Sequence, residues 1–317
     1  MRREEDFHPP LTFAPRRRVG RLAHHRGRRP RPDRPARQAC ASASPNACRR
    51  RRPRKSAPST SRPSCPAPAS WSSITEPIPP RPWTFTSLRA PCATPRSWSA
   101  VHGGAWKIGD KANTGSIENK LKHWLPKGFI VVSVNYRMLP KAMAYAQAQD
   151  VAEALQWVQA YAEDWGGSDR RIILMGHSAG AHLVALLSSR PEMVGKPWAG
   201  TVVLDSAAMK VSATMAGRHP KFYDEAFGSD PAGWAQASPM DQWDALGHAD
   251  VPGLLGPSAP TSPVTTPRPS RPWPSARASS MPVLPQPLTH ADVNRTLGLP
   301  GAYTDAVDRF IDERLGR

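Results

Sequence analysis

Between Val101 and Met209 the apolar residues fall into two alternating rhythms. "FIVVSVNYR" (Phe129–Arg137) is an almost unbroken apolar and β-branched run, as expected of a strand buried on both faces. "RRIILMG" (Arg170–Gly176) and "AGTVVLDSA" (Ala199–Ala207) repeat it. Helical spacing separates these runs. In "AMAYAQAQDVAEALQWVQAYAEDWGG", Ala148, Val151, Ala152, Leu155 and Val158 share one face, and the helix stops at Gly166–Gly167. "AGAHLVALLSS" predicts a second helix, and "NKLKHWLPKG" a shorter one closed by Pro126 and Gly128. Strands alternating with helices imply a mostly parallel sheet flanked by crossover helices. Lys221–Asp244 is aromatic and turn-rich, so it reads equally as a cap over a site or as a connecting helix pair. The chain closes on an amphipathic helix, with Ala306, Val307, Phe310, Ile311 and Leu315 marking its packed face.

Composition changes the picture at two places. The 317 residues suffice for one large α/β domain or two smaller ones. A net charge of +18 points at first to nucleic acid or a membrane surface. Its distribution argues against both. Residues 1–100 hold 22 Lys and Arg against 5 Asp and Glu, whereas the rest is nearly balanced at 21 against 20. No aromatics interleave the basic clusters, so no nucleic-acid partner is expected. All four cysteines and 18 of the 37 prolines also lie before residue 100, with no Cys/His spacing that would hold a metal. No apolar run is long enough to span a bilayer, and no apolar core follows the N-terminal arginines. The expectation is therefore a cytoplasmic protein with no membrane partner. Its basic segment 1–99 is low in complexity and either disordered or frameshifted. Its α/β domain, 100–317, carries an anomalous stretch at 253–280.

The chemistry concentrates in "ILMGHSAGAHL". Ser178 is the centre of a G-x-S-x-G run with an apolar strand before it and a helix after it, the context of a nucleophile elbow. Only small residues fit around so tight a turn, and Gly176, Ala179 and Gly180 satisfy that. Upstream, "VHGGAW" (Val101–Trp106) offers Gly103 and Gly104, whose backbone N–H groups can turn toward an oxyanion beside the N–H of Ala179. The base is sought after the serine in chain order, among His182, His219, His248 and His290. His182 falls inside the elbow helix and reads as packing. His290 follows a short apolar run and precedes a helix start, where a base belongs, and is the candidate. His102 reads as a brace for the oxyanion loop and His177 as a pocket-shaping neighbour of the nucleophile. Trp106 and Phe222 read equally as pocket wall or as core.

"VHGGAW", "VSVNYRMLP", "DWGGSDRRIILMGHSAGAHL" and "LPQPLTHADVNRTLGLPGAYTDAVDRFI" together resemble the α/β-hydrolase esterases with an HGGxW oxyanion loop. These are carboxylesterases and lipases of the hormone-sensitive-lipase-like kind and their kynurenine formamidase relatives. The resemblance covers roughly 100–250 and 281–317. It implies an α/β-hydrolase fold and cofactor-free ester hydrolysis through an acyl-enzyme. Ser178 would be the nucleophile, His290 the base, and Gly103, Gly104 and Ala179 the oxyanion donors. Arylformamidase or amidase action on the same site is the first alternative. A non-catalytic remnant is the second.

One family feature is missing. The resemblance implies an acid after the seventh strand, yet no Asp or Glu lies between Asp250 and Asp292. The expected strand and the family's first hairpin are not legible either. Asp250, forty residues before His290, is the nearest upstream carboxylate and a weak candidate. Gly256–Ser280 instead carries seven prolines, three arginines and no acid. Reread one base out of register, Pro257–Ser279 yields an acid-bearing loop and an amphipathic helix, and Ile74–Ser99 yields a hairpin leading into "VHGGAW". The expectation is that 1 to about 99 and about 253–280 are frameshifted translation.

Overall fold

The computed structural model describes residues 73–74, 84–88, 96–206, 208–246, 253–256 and 282–316. The chain divides into two units, Met1–Thr60 and Ser61–Arg317, and every described residue belongs to the second. Its strands are β1 (Ser73–Ile74), β2 (Thr84–Leu88), β3 (Arg96–Val101), β4 (Phe129–Asn135), β5 (Ile172–His177), β6 (Gly200–Leu204) and β7 (Gly253–Gly256). Among the described residues the sheet order is β1-β2-β4-β3-β5-β6-β7. The pairs β1–β2 and β2–β4 are antiparallel, and all others are parallel. The helices are α1 (Thr114–Trp124), α2 (Ala144–Tyr161), α3 (Ala179–Ser189), α4 (Val211–Ala216), α5 (Phe222–Phe227), α6 (Pro231–Gln236), α7 (Pro239–Leu246), α8 (His290–Arg295) and α9 (Ala302–Arg314).

The continuous apolar runs are explained by cores on both sheet faces. Ile130, Val132 and Val134 of β4 point to one side with Ile172 and Leu174 of β5, beneath α2 and α3. Phe129, Val131, Ile173 and Met175 point to the other side, against α1, α8 and α9. With period-2 side chains and both faces covered, these strands stay apolar almost throughout, and Ser133, the polar residue inside β4, is itself buried. All five residues predicted for the buried face of α2 are buried. So are Val307, Phe310, Ile311 and Leu315 of the last helix and its end. Helix α3 is buried along its whole length, covered by α2 and α7 as well as by the sheet.

Two expectations are corrected. The seventh strand and the first hairpin were not legible in the sequence, yet β7 pairs with β6, and β1 and β2 form an antiparallel pair at the other edge. The basic segment 1–99, expected to be disordered or frameshifted, also supplies Arg96–Ser99 at the centre of the sheet, where all four pair with β4 and Ser97–Ser99 pair with β5 as well. The ladder is made of main-chain groups, so a strand can form where side-chain patterning does not announce it. Side chains adapt around it. Trp98 is fully buried, edge-on to Trp124 with ring centroids 5.6 Å apart. The Arg96 guanidinium lies over the Phe129 ring and donates to the Lys127 carbonyl oxygen at 2.9 Å. Of the anomalous stretch 253–280, only Gly253–Gly256 is described, as β7, and 257–280 lie outside the described residues.

Lys221–Asp244 resolves into α5, α6 and α7, a set of short helices over α2 and α3. Asp230 caps α6 by accepting from the Ala232 and Gly233 N–H groups, with Pro231 in the first turn. These helices brace the loop after β3. Trp106 is 3% exposed and packs edge-on against Tyr223 and Phe227, with centroids at 5.4 and 4.9 Å. Trp106 is therefore core, and Phe222 packs partly buried against the same cluster.

Candidate active site

The end of β5 forces a sharp turn. Ser178 has φ 55° and ψ −118°, a conformation that costs an L-residue on the order of 1–3 kcal/mol and is held only by its surroundings. The Ser178 N–H donates to the Leu204 carbonyl oxygen at 3.0 Å, pinning the turn to the end of β6. Gly180 backs onto β3 so closely that a Cβ there would lie 2.3 Å from the Val101 carbonyl oxygen. Gly103 brings the second loop to the serine, and a Cβ on it would lie 2.9 Å from the Ser178 Cβ. The glycines of both motifs thus let the two loops touch at Ser178. Gly104 follows with φ +120°, and its carbonyl oxygen accepts from the Lys107 and Ile108 N–H groups at 3.0 Å.

The histidines divide into distinct tasks. His102 stacks on Tyr136, and its Nδ1–H donates to the Gly103 carbonyl oxygen at 2.8 Å. Tyr136 Oη–H in turn donates to the His102 carbonyl oxygen at 2.9 Å. His182 is fully buried, accepting from Trp106 Nε1–H at 3.3 Å and donating from Nε2 to the Ala237 carbonyl oxygen at 2.7 Å. Burial holds its imidazole down to about 4. It therefore joins Trp106 to the α6–α7 turn, the packing role read from the sequence. His219 is bonded to Asp224 at the surface, and His248 lies outside the described residues.

His290 opens α8 directly after the cap residue Thr289. Its Nδ1 lies 2.7 Å from Oδ2 of Asp205. Because a carboxylate only accepts, this bond keeps the proton on Nδ1 and leaves Nε2 free for chemistry. His177, beside Ser178, donates from Nε2 to the His290 carbonyl oxygen at 2.8 Å, and the two ring centroids lie 4.7 Å apart. Burial, and next the nearby His290, push the His177 imidazole down to about 4, so at neutral pH it acts as a neutral donor. Ser178, His177, His290, Gly103 and Ala179 thus come together at the ends of β3, β5 and β6. A cleft of about 560 Å³ opens beside them, lined by Gly103, Gly104, Ile108, Asp110, Asn113 and His177 among others.

Asp205 went unremarked in the sequence. It sits immediately after β6 at φ 49°, its N–H donates to the Gly256 carbonyl oxygen at 3.1 Å, and its side chain is 1% exposed. The available signal was an Asp directly closing the buried strand "TVVL". A charge there must be partnered, and the carboxyl ends of parallel strands are where sites form. Asp250, the acid weighed from the sequence, lies outside the described residues.

A mostly parallel sheet with this strand order, a strained serine between β5 and α3, and a His–Asp pair from later loops define the α/β-hydrolase fold. The BD-FAE family model matches residues 98–212, the segment from β3 to the start of α4. The chain is 36% identical over 91 residues to a probable carboxylic ester hydrolase, LipM, of Mycobacterium tuberculosis, covering 29% of this chain and 21% of that protein. It is 34% identical over 96 residues to the carboxylesterase NlhH of the same species, covering 30% of each. The chain thus spans under a third of the length of these curated relatives. Among solved structures, Thermogutta terrifontis esterase 2 phosphonylated by sarin superposes with TM-score 0.62 at 16% identity, over 78% of this chain and 96% of that one. Esterase B from Lactobacillus rhamnosis gives TM-score 0.58 at 19% identity, over 78% and 87%. Among the described residues no helix is long and apolar enough to cross a membrane.

Proposed function

We propose that this protein is a serine hydrolase that cleaves carboxylic esters of small molecules through an acyl-enzyme. Ser178 Oγ attacks the ester carbonyl while His290 Nε2 takes its proton. The backbone N–H groups of Gly103, Gly104 and Ala179 hold the oxyanion, and His290 then protonates the departing alcohol. Water, deprotonated by the same nitrogen, releases the acid and restores the serine. Asp205 is the acid of the triad. It fixes the imidazole tautomer and stabilises the imidazolium while remaining ionised.

The observation that carries the reading is the 2.7 Å bond between His290 and Asp205, formed beside the strained Ser178 turn. That bond supports a catalytic site over a non-catalytic remnant, a reading that rested on the acid missing between Asp250 and Asp292. The relatives' names, esterase and carboxylic ester hydrolase, favour esters over formamides. The test is hydrolysis of a short-chain p-nitrophenyl ester by the wild type and by Ser178→Ala. Equal rates would end the proposal.

A further inference from the structure

Lys120 of α1 is a buried ammonium group, 3% exposed, on the face that meets α8. Its Nζ donates to the Ser116 carbonyl oxygen at 2.8 Å, the Asn294 carbonyl oxygen at 2.5 Å and Asn294 Oδ1 at 2.8 Å. All three donors are used and all three acceptors are neutral. Two belong to one residue near the end of α8, the short helix that begins with His290. The neighbouring Asn119 donates from Nδ2 to the Arg295 carbonyl oxygen at 2.7 Å. Behind them Gly298 lies flat on α1, where a Cβ would come within 2.3 Å of the Asn119 carbonyl oxygen.

A lysine is an expensive way to fill such a position. Burial drives its ammonium down to about 7, and among the described residues no carboxylate offsets the desolvation. Methionine or leucine would pack the same face without that penalty. What only the lysine supplies is directed donors to the carbonyl and the side chain of Asn294 near the end of α8, where a cation is also favoured by the helix dipole. Such donors matter because α8 has only six residues and is too short to hold its own geometry. His290 is tied at its side chain by Asp205 and at its carbonyl by His177. Lys120 and Asn119 tie the opposite end of the same helix.

We infer that Lys120 is a positioning residue for the catalytic base, latching α8 so that His290 keeps its alignment to Ser178. This rests on the reading of His290 as the base. The hydrogen bonds of Lys120 go to Ser116 and Asn294 and not to Ser178, Asp205 or His290, so its loss should act on turnover rather than on substrate binding. A displacement of about 1 Å at a catalytic group can cost up to roughly 10²-fold in rate.

The test uses the full chain with p-nitrophenyl acetate and Lys120→Met, similar in length but without donors. The expected result is a fall in kcat of roughly 10- to 100-fold with KM unchanged within about twofold. Amide exchange should quicken over residues 290–296 and stay unchanged over the elbow, 176–183. A folded variant with wild-type kcat overturns the latch, as does a loss of kcat with unchanged exchange or a loss shared with KM. If circular dichroism finds Lys120→Met unfolded, Asn294→Ala decides on the same measurements, because it removes one acceptor and leaves the lysine. The double variant should be no slower than the slower single one, and additive losses would show that the two residues act separately. A wild type without esterase activity defeats the esterase reading, while the exchange comparison still decides whether Lys120 holds α8.

Discussion

Replacing Asp205 with Asn separates the acid seen in the structure from the one sought in the sequence. The carboxylate accepts the His290 Nδ1 proton at 2.7 Å, with the Asp205 side chain 1% exposed and that of His290 21% exposed. Asparagine keeps the shape but loses the charge. Turned one way, its amide nitrogen donates to Nδ1, forces the proton to Nε2 and removes the base. Turned the other way, it still accepts but no longer stabilises the imidazolium. The same replacement in a serine protease triad cost about 10⁴ in kcat, or about 5 kcal/mol of transition-state stabilisation at about 1.4 kcal/mol per tenfold. The assay is kcat on p-nitrophenyl acetate for Asp205→Asn and, beside it, Asp250→Asn, with folding checked by circular dichroism. The expected outcome is a loss near 10⁴-fold in the first and near wild-type turnover in the second. A folded Asp205→Asn within tenfold of wild type, with Asp250→Asn crippled, would refute the assignment.

Ser97 and Ser99, 2% and 1% exposed, bury hydroxyls that find no hydrogen-bond partner among the described residues. Replacing both with alanine should therefore raise stability by about 1 kcal/mol or more per hydroxyl, read as a higher urea midpoint at unchanged m. These serines fall where the displaced-frame reading restores a different strand. Resequencing the coding DNA checks that reading, and the absence of compensating base changes near codons 100, 253 and 280 would sink it. His177 and His182 both drop from 6.5 to about 4 through burial, so between those values the unfolded chain binds the extra protons. Stability should fall as pH drops from about 6.5 to about 4, and an acid-flat denaturation midpoint would contradict this. Lys120 drops from 10.5 to about 7, so the unfolded chain again holds more protons and stability should rise with pH across that window. In Lys120→Met that rise should shrink, as measured by urea midpoints at pH 7 and 10.

The elements that could be read along the chain are those whose signal is local. The apolar runs of β4, β5 and β6, the helical faces of α2 and α9, and the small residues of "GHSAG" each follow from spacing within a few residues. Together they determined the fold class, the nucleophile candidate Ser178 and the base candidate His290. The strands β1, β2, β7 and the start of β3 were not legible, because their pairing is made by main-chain groups beside strands already in place. The acid was not legible for a related reason. Asp205 lies 85 residues from His290, and nothing near "VVLDSA" announces the partnership. Strand order brings the end of β6 beside the start of α8, and the donor from His177 and the latch from Lys120 depend on the same packing. Periodicity is written in one dimension, whereas the partner of a buried charge is fixed only once the chain has folded back on itself.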